Sequence, residues 1–235
     1  IAGANGIFHI RDNKTIDNYH PRNAFGGPAF IICMSLDEKS NTIWLGDNAQ
    51  GIIKLKYSFD KNNRCSYTEE RFITTKDGLT DMYIRSILFD KRNNLWVGTR
   101  YGGIFRINET PKGMVVKSCN TEARLSCTRV TDITEEGSSA VWFATCDGIY
   151  RFQHEMGQWS HLTTSDGLLN AEVFNVVADE ENGFVWALTS QGVTKIKTDN
   201  TNILLPPLVT ITPISVLGKP DSAALFSKDP MVYSS

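Results

Sequence analysis

The chain has 235 residues, is 41% apolar and 21% charged, and carries a formal net charge of −2. That composition suits a globular core and excludes disordered, fibrous and disulfide-dense classes. A near-neutral chain gives no basis for nucleic acid or an anionic membrane surface as partner, and it has no run of about 18 apolar residues to span a bilayer.

The elements recur along the chain. It opens on Ile1-Ala2-Gly3 and Gly6-Ile7-Phe8-His9-Ile10, which match only the part of a repeat that follows its tryptophan. The first full copy reads Ile31-x-x-Met34-x-x-Asp37, Ile43-Trp44-Leu45-Gly46, Gly51-Ile52-Ile53-Lys54-Leu55. The second reads Ile84-x-x-Ile87-x-x-Asp90, Leu95-Trp96-Val97-Gly98-Thr99, Gly103-Ile104-Phe105-Arg106-Ile107. The third runs from Val130 through Val141-Trp142-Phe143 to Gly148-Ile149-Tyr150-Arg151-Phe152, and the fourth from Val173 through Val185-Trp186-Ala187 to Gly192-Val193-Thr194-Lys195-Ile196. The tryptophans are spaced by 52, 46 and 44 residues. The apolar Trp segment and the period-two segment after it read as strands. Asp, Asn and Gly between them suit hairpin turns. No convincing long helix appears. Repeats of about 40–50 residues with four short strands each predict an all-β propeller of four full blades plus part of a fifth. The repeated tryptophan is expected to fill the gap between stacked blades, burying roughly 150–250 Å², worth roughly 4–6 kcal/mol as an upper bound.

Chemistry is sparse. The histidines His9, His20, His154 and His161 show no zinc-protease spacing, and neither a nucleophile elbow nor a phosphate-binding glycine loop is present. The Asp-rich turns lack the alternating ligands of a calcium loop. No cofactor or metal is expected. Of the cysteines Cys33, Cys65, Cys119, Cys127 and Cys146, none forms a C-x-x-C pair. They read as free and mostly buried thiols, with a Cys119–Cys127 hairpin bridge as the alternative.

The segments Lys76-Asp77-Gly78-Leu79-Thr80 and Ser165-Asp166-Gly167-Leu168-Leu169-Asn170, followed by the strand ending in Asp90, Asn94-Leu95-Trp96-Val97-Gly98-Thr99 and Gly102-Gly103-Ile104-x-Arg106, resemble the two-component regulator propeller repeat. The resemblance covers about residues 1–198. It fails in the third blade, where Glu122-Ala123-Arg124-Leu125-Ser126 replaces Asp-Gly-Leu, and in the first, with Ala24-Phe25-Gly26-Gly27-Pro28 nearby. The tail, Leu205-Pro206-Pro207-Leu208 and the strand-like residues after it, looks like the opening of the β-sandwich termed Y_Y_Y. Domains are therefore expected at 1–204 and 205–235. The resemblance implies the periplasmic sensor part of a Bacteroidetes-type hybrid histidine kinase. It implies an oligosaccharide ligand, a homodimer in the intact receptor, no membrane contact by this segment, and control of glycan-utilisation genes. Blades that only scaffold or dimerise, and a propeller lyase or hydrolase, are the alternatives. The family's seven or eight blades exceed those present, so missing blades are expected upstream of Ile1, which shows neither an initiator Met nor a signal peptide. The alternative is a closed five-bladed ring in which Val209–Val216 pair with Ile1–Ile10.

In a four-stranded blade the loop entering the inner strand and the loop joining strands two and three share one rim. Asp81 and Tyr83 are thus expected beside Arg100 and Tyr101, and Glu172 beside Gln191, with Asp147 on the same face. Planar polar groups on an aromatic platform suit sugars, so Arg100 and Tyr101 are the leading ligand-binding candidates.

Overall fold

The computed structural model describes residues 2–3, 6–11, 14–198 and 209–210. Each sheet is an antiparallel meander. The partial blade holds β1 (Ala2–Gly3), β2 (Gly6–Arg11) and β3 (Lys14–Tyr19). Blade one holds β4 (Ile31–Asp37), β5 (Thr42–Asp47), β6 (Gly51–Phe59) and β7 (Cys65–Ile73). Blade two holds β8 (Ile84–Phe89), β9 (Leu95–Thr99), β10 (Ile104–Thr110) and β11 (Gly113–Ser118). Blade three holds β12 (Val130–Glu136), β13 (Ala140–Thr145), β14 (Gly148–Gln153) and β15 (Gln158–Leu162). Blade four holds β16 (Val173–Asp179), β17 (Phe184–Thr189), β18 (Gly192–Lys197) and β19 (Val209–Thr210).

In all four full blades the pairing of the inner strand with the second strand slips by one residue after its first pair: at Ile31/Cys33, Ile84/Ser86, Val130/Asp132 and Val173/Asn175. Such a bulge bends the inner strand and increases its twist.

The core lies between blades. Trp44 clusters with Ile84, Ile87 and Leu95 of blade two; Trp96 clusters with Ile133, Phe143 and Phe152 of blade three; Trp142 clusters with Val173, Val176 and Ala187 of blade four. Each of these three tryptophans is thus the wedge against the next blade, as the repeat predicts. Two residues after Trp44 and Trp96 stand Gly46 and Gly98. A Cβ at Gly46 would lie 2.6 Å from Ile84 Cγ2, and one at Gly98 would lie 2.5 Å from Val130 Cγ1. The next inner strand therefore presses on bare backbone there.

The Asp-Gly-Leu segments have a local cause. Thr74 caps a short 3-10 turn, Thr75–Asp77, and the Asp77 carboxylate in turn accepts from the Thr74 N–H. Thr163 and Asp166 do the same around Thr164–Asp166. Gly78 (φ 113) and Gly167 (φ 98) then take the left-handed conformation, and Leu79 and Leu168 turn into the core. Burial opposes ionisation of Asp77, but bonds from Thr74 and Arg71 outweigh it and hold the carboxyl below its usual range. In blade three a short α1 (Asn120–Ala123) replaces the turn.

Val209 and Thr210 pair with Ile196 and Lys195, so this part of the tail is the fourth strand of blade four. That pairing differs from the one with Ile1–Ile10 that a closed five-bladed ring requires. The rest of 205–235, expected to begin a β-sandwich, lies outside the described residues.

Candidate functional site

The rim carrying the loops before each inner strand holds the expected residues. In blade two, the loop ending at Tyr83 lies against the turn at Arg100–Tyr101, where the Arg100 N–H donates to the Tyr83 carbonyl at 2.9 Å. Asp81 is the clamp between them. Its Oδ1 accepts from the Tyr83 N–H at 3.0 Å, and its Oδ2 accepts from the Tyr101 N–H at 2.6 Å. Asp81, expected as a ligand contact, is only 9% exposed and has both oxygens taken by backbone donors, so it ties the two loops together.

The clamp presents two rings to solvent. Tyr83 and Tyr101 are 40% and 60% exposed, with ring centroids 5.9 Å apart at an interplanar angle of 76°. The Arg100 guanidinium lies 5.1 Å from the Tyr101 centroid, within cation–π range. Arg100, Tyr101, Tyr83 and Asp81 thus converge as expected.

The other candidates occupy neighbouring blades. The Ser126 hydroxyl donates to Asp147, and the Arg129 guanidinium pairs with Glu172. Gln191 sits at the β17–β18 turn with its N–H on the Thr189 hydroxyl at 3.2 Å. Among the described residues, no hydrogen bond, ion pair or ring contact joins Asp147, Glu172 or Gln191 to the tyrosine pair.

A disulfide braces the Asp147 segment of the rim. Cys127 and Cys146 are bonded, with Cα atoms 5.9 Å apart. This corrects both sequence readings, that of five free thiols and that of a Cys119–Cys127 bridge. The cause is strand register. Val130 pairs with Thr145 across β12 and β13, so the chain before the one and after the other meets at the rim. Cys119 is instead buried beside α1, where desolvation pushes its thiol up to about 11. Burial pushes Cys33 up to about 12. Both are poor nucleophiles at neutral pH.

The fold and its repeated Trp-wedged sheets define the class: this is a run of β-propeller blades. Residues 78–101, from the Asp-Gly-Leu turn through the Trp96 strand to Tyr101, match the Two component regulator propeller family, so the chain carries that repeat. No curated protein matches the chain. Among solved structures, it is similar to the extracellular domain of a B. thetaiotaomicron hybrid two component system, with 19% identity and a TM-score of 0.57 over 83% of this chain. It spans 30% of that protein's chain. It is equally similar to an inactive variant of virginiamycin B lyase from Staphylococcus aureus, with 19% identity and a TM-score of 0.57 over 81% of this chain and 58% of the lyase. At such identities the likeness concerns the fold alone. No helix among the described residues is long and apolar enough to cross a membrane.

Proposed function

We propose that this chain is part of the extracytoplasmic sensor region of a two-component receptor, and that the Tyr83–Tyr101–Arg100 platform contacts an oligosaccharide. The observation that carries the reading is the Asp81 clamp, which ties together the backbones of two loops whose exposed aromatic rings meet edge to face. Preorganised rings suit the C–H face of a sugar, and the nearby guanidinium suits its hydroxyls. The matching repeat and the two-component neighbour support the sensor role. The Cys127–Cys146 disulfide suits an oxidising compartment such as the periplasm.

The lyase likeness leaves an enzyme as the rival. Acid–base cleavage needs a carboxyl group available to a substrate. At this rim the carboxylates of Asp81, Asp147, Asp166 and Glu172 all carry protein partners, which favours binding over catalysis.

Titration calorimetry of the chain against neutral xylo-, manno- and galacto-oligosaccharides tests the reading. At least one is expected to bind, and R100A/Y101A is expected to weaken it at least tenfold. Unchanged affinity in the double variant would contradict the platform, and no binding by any of the panel would favour scaffold blades.

A further inference from the structure

A second feature lies away from the rim platform. An open cleft of about 880 Å³ runs between the outer strands of blades two and three, with Arg106, Lys117, Glu122, Arg124, Trp159 and His161 in its walls. Three of these are permanent cations and one is a carboxylate. Lys117 is paired with Glu122. His161 is stacked on Tyr150, with ring centroids 4.0 Å apart, and its Nε2 meets the Asp147 carbonyl. Among the described residues, neither Arg106 nor Arg124 has an ion-pair partner.

Two of the lining side chains also carry buried N–H groups without hydrogen-bond partners. Arg106 lies over the rings of Trp96 and Phe152, at 5.6 and 5.7 Å, and its Nε is buried without a hydrogen-bond acceptor. Trp159 Nε1 is likewise buried without one. Buried N–H groups are ordinarily satisfied, so each such group calls for an explanation. Here two of them belong to cleft-lining residues beside an unpaired guanidinium.

Arg124 is the most informative of these residues. Where blades two and four place Gly78 and Gly167 before the buried leucine, blade three places Arg124, also left-handed, at φ 51 and ψ 46. A non-glycine residue is disfavoured there. The repeat thus departs from its own pattern at the position where the departure brings a cation to the cleft wall.

We propose that this cleft binds an acidic saccharide, with Arg106 and Arg124 taking its carboxylate or sulfate oxygens and Trp159 lying against the sugar ring. Arginine forks match such oxo-anions, and an indole matches the ring's apolar face. The anion half of the proposal stands on the cleft alone. The saccharide half rests on the reading of the chain as a glycan sensor.

Arg124→Gly gives a clean test, because glycine suits the left-handed backbone and the fold should be kept. Calorimetry with tetragalacturonate is expected to show binding that weakens several-fold between 50 and 300 mM NaCl, order-of-magnitude conditions for screening exposed charge. R124G is expected to weaken it at least tenfold while its melting temperature stays equal or rises, R124K should retain part of it, and Y101A should leave it unchanged. The proposal is overturned if tetragalacturonate fails to bind at millimolar concentration, or if R124G binds it as well as the parent. Equal binding of uncharged galactotetraose would overturn the anion half, and equal binding of tetraglutamate, which has no ring for Trp159, the saccharide half. Loss of neutral-sugar binding in R100A/Y101A, with tetragalacturonate retained, would keep the two sites distinct.

Discussion

Single residues explain why the repeat keeps an acid before its tryptophan. Asp90 lies six residues before Trp96 and is 2% exposed. It accepts from the Trp96 indole N–H at 2.7 Å and from the Asn94 N–H at 2.7 Å, and so ties the hairpin to the wedge. Glu136 repeats this with the Trp142 indole at 2.7 Å. In blades one and four the spacing is seven residues. There Asp37 instead accepts from Lys39 N–H and the Ser40 hydroxyl, Asp179 accepts from Asn182, and the Trp44 indole N–H is buried without a partner. Asp90→Ala should therefore cost about 3 kcal/mol, since it strands buried donors. Asp37→Ala, in a more exposed turn, should cost about 1 kcal/mol. Urea melts of the two variants check this, and equal losses would contradict the bond to Trp96.

The order of elements was legible in the sequence because the repeat carries its own punctuation. Hairpin Asp and Asn residues, the period-two strands and the Asp-Gly-Leu turns each have a local cause, and each appears where its pattern placed it. The rim neighbours Asp81, Tyr83, Arg100 and Tyr101 were also legible, since blade topology puts their two loops on one edge. The backbone bonds of Asp81 were not, because they depend on where the Tyr83 and Tyr101 N–H groups point once the two loops meet. The Cys127–Cys146 bond and the Arg106–Arg124 cleft were hidden for another reason. One depends on strand register at a bulge, and the other on contacts between strands of different blades. The one available signal was Arg124 at a position where blades two and four have glycine. The same logic marks Gly98, where the neighbouring blade leaves no room for a Cβ beside Val130. Gly98→Val should cost about 2–3 kcal/mol through overpacking. A thermal melt unchanged from the parent would show that the blades stack less closely there.

For the whole molecule, stacking is directional. Each blade offers its tryptophan to the next, and the fourth blade's offer goes unmatched among the described residues. Val177 and Leu188 of that blade are 58% and 42% exposed, and Trp186 is half-buried under the Lys195 amine, 5.2 Å from its ring. Leu188 also stands where Gly46, Gly98 and Ala144 keep the earlier interfaces close. The rim platform and the cleft are held in place only as firmly as these blade contacts. Comparing Trp96→Ala with Trp186→Ala by chemical denaturation therefore tests the account most directly. The buried wedge Trp96 should cost about 3–5 kcal/mol when truncated, and the uncovered Trp186 about 1 kcal/mol or less. Equal losses at the two positions, or a loss below about 1 kcal/mol at Trp96, would contradict blade stacking as what holds the chain together.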